Sequence, residues 1–179
     1  MPKWQAYTDG GCVDNSSMGG TGGMGIHLVY GDQVMEWSYG YFKTTNNRME
    51  MRSIIFILEQ FQDPVSIEIF TDSQYTIDAV TKWIYNWRRN NWMTGSGQPV
   101  KNKDLVIRLD ELIKFHDVTL TKVKGHSGVP GNEAADQLAT MGIKNPTLHD
   151  EGFIPTPVVP KVQSTFHPHR KWFKRHKKK

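Results

Sequence analysis

Four carboxylates fall where an unpaired charge is costly: Asp9, Glu50, Asp72 and Asp136. Trp4 to Thr8 reads as a strand that Asp9 ends. Val65 to Thr71 alternates apolar residues and Asp72 follows at once. In an open sheet mixed with helices, such strand ends are where active sites form. Glu50 precedes Ile54 by one helical turn, which sets it on the sheet-facing stripe of a helix. Asp136 lies amid Ala134, Ala135, Leu138 and Ala139 in the first turns of the last predicted helix. Brought together, the four would repel one another and raise one another's pKa values. Hard divalent cations remove both penalties, because Mg²⁺ prefers oxygen ligands, and two ions about 4 Å apart can activate water for phosphodiester hydrolysis. Spacing alone leaves a plainer reading open at each position. An Asp after a strand is commonly a turn or cap residue, and a Glu in a first helical turn complements the helix dipole.

The elements that must position these groups follow from periodicity. After the first strand, a glycine-rich turn runs from Gly10 through Gly25. Ile26–Tyr30 and Val34–Phe42 read as two strands joined at Gly31-Asp32. Apolar residues at Ile54, Ile57, Leu58 and Phe61 predict a helix from about Asn47 to Gln62. A strand follows at Val65–Thr71, then a helix from Ser73 to about Trp83 and a polar stretch rich in tryptophan to about Pro99. Asp104–His116 is predicted helical, Val118–Val123 a strand, and Asn132–Met141 a last helix with Asn132 placed to cap it. The order βββαβααβα predicts an α/β domain with a mixed sheet flanked by helices. We assign this domain to residues 1–143. Five prolines between 144 and 168 then mark an extended linker over 144–166.

Charge is distributed unevenly. Residues 1–150 carry 14 Lys and Arg against 17 Asp and Glu, a balance of −3, whereas residues 151–179 carry 8 against one, a balance of +7. The segment 167–179 holds seven of those cations with Trp172 and Phe173 among them. It is too charged to fold alone and is expected to be a disordered basic tail. Such a tail can tether nucleic acid to an acidic domain, or dock on a replication partner. The single cysteine, Cys12, excludes an intramolecular disulfide and argues against a thiolate zinc site. With no apolar run long enough to span a bilayer and no signal-peptide pattern, a cytoplasmic protein is expected.

The segments that carry these carboxylates resemble the type 1 ribonuclease H family, of the bacterial HI-like kind. They are Tyr7-Thr8-Asp9-Gly10-Gly11-Cys12, Thr44-Thr45-Asn46-Asn47-Arg48-Met49-Glu50, Thr71-Asp72-Ser73-Gln74-Tyr75, Trp83-Ile84-Tyr85-Asn86-Trp87, Pro99-Val100-Lys101-Asn102, Val123-Lys124-Gly125-His126 and Gly131-Asn132-Glu133-Ala134-Ala135-Asp136, in the family's order and spanning residues 4–142. The resemblance implies the ribonuclease H-like fold with a five-stranded mixed sheet. It also implies an endonuclease that hydrolyses the RNA strand of RNA–DNA hybrids, leaving 3′-hydroxyl and 5′-phosphate ends. Asp9, Glu50, Asp72 and Asp136 become ligands of two Mg²⁺ ions, with Mn²⁺ as a substitute. His126, in a loop from Gly125 to Gly131, becomes an aid to proton transfer or product release, a role that a neutral imidazole suits.

An RNA strand is told from DNA by its 2′-hydroxyls, each a donor and an acceptor. By resemblance Gly10, Gly11 and Cys12 offer backbone for this, and Asn15, Asn46, Asn47 and Gln74 offer amides, with Tyr75 beside them. Helix capping is a second use for Asn46 and Asn47. The DNA strand would be held at a phosphate by Thr45 and Asn102 and at a sugar by Trp83. Arg88 and Arg89, between Trp87 and Asn90, look like part of a basic protrusion that grips the duplex. The pair Arg52-Ser53 departs from the small apolar residues common in relatives and puts the packing of that helix in question. A non-catalytic binding module would not need all four carboxylates. A transposase, integrase or resolvase would not need Asn46, Asn47, Gln74 and His126, and a reverse-transcriptase domain remains a third alternative.

Overall fold

Alternation along β1 (Trp4–Cys12) sorts its side chains onto two faces of a sheet: Ala6, Thr8 and Gly10 are buried on one, and Tyr7, Asp9 and Gly11 lie on the other. The computed structural model describes residues 2–156. β2 (Gly20–Tyr30), β3 (Gln33–Thr44), β4 (Ser66–Thr71) and β5 (Asp117–Lys122) join β1 in one mixed sheet of order β3-β2-β1-β4-β5. β1 pairs antiparallel with β2 and parallel with β4, so it stands where the sheet changes direction. The predicted end of the first strand at Thr8 is correct only on one side. Parallel pairing to β4 stops at Thr8↔Thr71, while antiparallel pairing to β2 continues to Cys12↔Gly22.

Helices α1 (Asn46–Glu59) and α4 (Lys103–Phe115) cover one face, closing a core of Ala6, Met24, Ile26, Met51, Ile54, Ile69 and Leu109. α5 (Pro130–Lys144) covers the other. It lies so close to the sheet that only glycine fits between. A Cβ on Gly25 would stand 2.1 Å from Ala135 O, and one on Gly40 would stand 1.9 Å from Gly142 O. The stretch read from sequence as a glycine-rich turn is therefore largely strand β2. Its glycines serve helix docking, and the turn itself is confined to residues 13–19.

Two predicted helices differ in detail. The second is broken into α2 (Gln74–Asp78), a π-helical turn over Ala79–Trp83, and α3 (Ile84–Arg89). The last begins at Pro130, whose missing N–H suits a first helical position, so Val129 is the cap; Asn132 lies inside the helix, buried, with no partner for Oδ1.

The proline-rich segment expected to be a free linker from residue 144 is docked over residues 145–156. Leu148 N–H donates to Gly40 O and Leu148 O accepts from Phe42 N–H, which covers the exposed edge of β3. Asp150 is buried against Arg48 and Arg52. Composition hid this because one buried ion cluster, not an apolar run, holds the segment. Arg52 and Ser53 fit α1 for the same local reasons: Arg52 pairs with Asp150, and the Ser53 hydroxyl donates to Glu50 O at 2.7 Å. The rest of the linker from 157, and the tail 167–179, lie outside the described residues. Among the described residues, no helix is long and apolar enough to cross a membrane.

Candidate active site

Asp9 and Asp72 each follow the last parallel pair, Thr8↔Thr71, so they emerge side by side at the same level of adjacent central strands. Asp9 points to the α5 face, and Asp136 comes from that helix. Glu50 comes from α1 on the opposite face, where a Cβ on Gly10 would stand 2.3 Å from Glu50 N. Strand ends and helices thus converge from both sides of the sheet. They line a cleft of about 360 Å³ that contains Asp9, Gly10, Gly11, Cys12, Asn46, Glu50, Asp72, His126 and Asp136.

Each carboxylate has a distinct environment. Asp9 Oδ1 accepts the Gly10 N–H at 2.9 Å, yet its pKa is pushed up to about 8. Burial is the main cause, reinforced by the charges of Asp72 and Asp136 and by a hydrogen bond with Asp136. Glu50 is also raised, by burial and then Asp72. Ser73 and Asn46 oppose the shift: the Ser73 hydroxyl and Asn46 Nδ2 donate to its two oxygens, the latter at 2.7 Å. Asp72 lies under the following loop, where a Cβ on Gly125 would stand 2.7 Å from Oδ2. Lys122 donates to Asp72 O.

His126 sits on that loop, exposed and in the left-handed region at φ +52°, with Nδ1 3.8 Å from Asp136 Oδ2. Glu133, not among the predicted site residues, accepts the Gly128 N–H at 3.1 Å and so ties the loop to α5. One atom each of His126, Glu133 and Asp136 fall within 4.8 Å of one another. The i, i+3 spacing of Glu133 and Asp136 on one helix was the available signal. Ser73 and Lys122 were also missed, because both act through strand and helix ends that only the sheet brings together.

Of the other predicted contacts, Asn46 lines the cleft and the rest lie outside its lining. Asn15 Oδ1 accepts the Asn46 N–H at 3.0 Å. The capping expected of Asn46 and Asn47 falls to Thr45, which precedes α1 without a side-chain cap bond, and Asn46 turns instead to Glu50. Gln74 donates to Asp78, and Tyr75 OH accepts from Asn102 at 3.1 Å. Tyr75, Trp83, Trp87 and Trp92 form an aromatic ladder with successive ring centroids 5.5, 5.7 and 6.5 Å apart. Beside it is a groove of about 320 Å³ lined by Trp83, Asn86, Trp87 and Asn90. Arg88 pairs with Asp110, and Arg89 donates to Asn86.

The donor set is all oxygen, and Asp9 is pushed up to about 8 by burial first and by the charges of Asp72 and Asp136 second, a penalty that a divalent cation offsets. A switch-point cleft with carboxylates from β1, the residue after β4 and two helices defines a class of α/β proteins whose cleft suits a divalent cation. The RNase H family profile matches residues 2–144. Ribonuclease HI of Haemophilus influenzae is 48% identical over 155 residues, covering 86% of this chain and 99% of that protein. Ribonuclease HI of Pasteurella multocida is 48% identical over 151 residues, covering 84% and 96%. The crystal structure of LC9-RNase H1, a type 1 RNase H, aligns with a TM-score of 0.71 at 27% identity, covering 87% of this chain and 78% of that one. The chain belongs to the RNase H family and is a ribonuclease H enzyme of the bacterial type 1 kind.

Proposed function

We propose that this enzyme hydrolyses the RNA strand of RNA–DNA hybrids internally, with Asp9, Glu50, Asp72 and Asp136 holding two Mg²⁺ ions that Mn²⁺ can replace. The observation that carries the reading is the convergence of the four carboxylates on one cleft, with Asp9 shifted to about 8. Bound cations supply an activated water and stabilise the leaving oxygen. The protein's part is placement. Asn46 and Ser73 orient Glu50 from both sides, and the Gly10 N–H orients Asp9. The water's oxygen bonds to phosphorus, the 3′ oxygen leaves with a proton, and the products carry 5′-phosphate and 3′-hydroxyl ends. His126 stands at the open side of the cleft, where an imidazole can take up or deliver that proton or ease product departure.

The RNA strand is read at its 2′-hydroxyls by the backbone of Gly10, Gly11 and Cys12 and by Asn15, Asn46, Asn47 and Gln74. Thr45 and Asn102 hold a DNA-strand phosphate, and Trp83 packs on a sugar. Arg89 is the freer cation of the tryptophan-rich arm, since Arg88 must exchange Asp110 for a phosphate. The basic tail adds a second, electrostatic hold. The described residues end at Thr156, whose N–H donates at 2.8 Å to Ser17 O, in the turn that carries Asn15. The deciding experiment compares cleavage of RNA–DNA hybrid, double-stranded RNA and double-stranded DNA with and without Mg²⁺, and maps the ends. Mg²⁺-dependent cutting of the hybrid alone is expected; equal cutting of double-stranded DNA would sink the reading.

A further inference from the structure

The docked segment 145–156 is held by the most buried ion cluster among the described residues. The side chains of Asp150 and Arg48 are 0% and 2% exposed. Arg48 Nε and Nη2 donate to Asp150 at 2.6 and 2.9 Å, and the Thr44 hydroxyl donates to it at 2.6 Å. Arg48 also donates to both oxygens of Asp104, at 2.9 and 2.7 Å, and reaches Asn102 Oδ1 at 3.5 Å. The cluster therefore joins three parts of the chain: the start of α1, the start of α4 and the C-terminal segment.

Its two ends touch the neighbours of the proposed DNA-phosphate site. Thr44 precedes Thr45, which caps α1, and Asp104 lies in the first turn of α4, which Asn102 caps. Asn102 holds φ +59° and ψ +25°, a conformation costly for a residue with a Cβ unless its surroundings fix it. Arg48 on Oδ1 and Tyr75 on Nδ2 fix its side chain. The segment's backbone is fitted to the cluster at Gly152, where a Cβ would stand 2.0 Å from Asp104 Oδ2 and 2.7 Å from Arg48 Nη2. A buried ion cluster is a poor source of stability compared with apolar packing, but it imposes geometry on what it joins.

We infer that Asp150 is a positioning residue for substrate binding: through Thr44 and Arg48 it sets the two helix starts that present Thr45 and Asn102 to the DNA strand. The inference rests on the reading of Thr45 and Asn102 given above. The test uses the full chain, well below its unfolding temperature, on a hybrid whose DNA strand carries one neutral methylphosphonate placed in turn at each position. For the wild-type enzyme, one position should raise KM roughly five- to tenfold, the worth of one charge-assisted hydrogen bond, with kcat within about twofold. Asp150→Asn should raise KM on the unmodified hybrid by a similar factor and lose sensitivity to that position. Gly152→Ala keeps every charge but crowds Arg48 and Asp104, and it should do the same; it serves if Asp150→Asn does not fold. A lowered unfolding temperature with wild-type KM and an intact methylphosphonate response in both variants overturns the inference. Asn102→Ala separates the two levels. If it leaves KM unchanged, the phosphate-site reading fails and the inference with it. If it raises KM while the Asp150 and Gly152 variants do not, the inference alone fails.

Discussion

Replacing Asp9 by Asn should stabilise the metal-free enzyme while removing its activity. Asp9 stands at about 8 in the folded state against an ordinary value of 3.8. A pKa raised by folding means that the folded state keeps a proton the unfolded chain gives up. The associated stability is fully present below about 3.8 and is lost as pH rises through about 8. By pH 7 the unfolded chain has gained a little over three pKa units of ionisation that the folded protein resists. At about 1.36 kcal/mol per unit, the loss is on the order of 4 kcal/mol. Asparagine has no charge to bury, keeps an oxygen for the Gly10 N–H, and offers Asp136 an N–H donor. In EDTA, Asp9→Asn should therefore match wild type near pH 4 and exceed it by about 4 kcal/mol at pH 7, which for a domain of this size is on the order of 10 °C. Denaturant unfolding of both proteins across pH 4–9 measures this. Mg²⁺ should narrow the gap by stabilising wild type more. A pH-independent difference, or a variant less stable at pH 7, would refute the electrostatic account of the cleft.

Asp72→Asn should nearly abolish turnover while hybrid binding in EDTA stays within a few-fold, as a titration of labelled hybrid can check; near-normal rates at saturating Mg²⁺ would misplace the site. His126→Ala should be slowed yet remain measurably active in single-turnover assays, because the carboxylate-held cations, not the imidazole, would generate the nucleophile. Burial pushes Asp150 up, but Arg48, Arg52 and Thr44 together hold it below its ordinary 3.8. Its contribution is thus complete above about 3.8 and lost as pH falls through the lower folded value. Asp150→Asn should cost about 3 kcal/mol at pH 7 and leave a shallower acid limb in thermal melts between pH 5 and 2. Neutralising the seven Lys and Arg of residues 167–179 with Gln should weaken hybrid binding and flatten its salt slope by roughly 0.7–0.9 for each phosphate the tail no longer neutralises; an unchanged slope would assign the tail another task.

Much of the fold was legible because periodicity is local. Alternation marked β4, the i, i+3, i+4 spacing marked α1 and α4, and Asp72 could be seen to follow a strand, whereas Asp9 lies inside β1 at the point where only the parallel pairing stops. The family motifs then tied four distant carboxylates together before any geometry was available. What the sequence could not determine depends on distance in space. Two Asp residues 63 positions apart emerge at one level because β1 and β4 pair in a particular register, and the charge of Asp72 then adds to burial in raising Asp9 to about 8. The glycines of β2 read as a turn because their use, admitting α5 to the sheet, is visible only once α5 is there. Arg88 read with Arg89 as part of a duplex-gripping protrusion, and its pairing with Asp110, on another helix, is visible only in space. The segment after residue 144 read as a linker because its hold is a short backbone bridge to β3 and one carboxylate, Asp150, set against arginines about a hundred residues away. Local sequence determined which residues form helices and strands and which carry chemistry. Tertiary structure alone decided which charges meet, because Coulomb and hydrogen-bond energies depend on separations of a few ångströms that no spacing along the chain encodes.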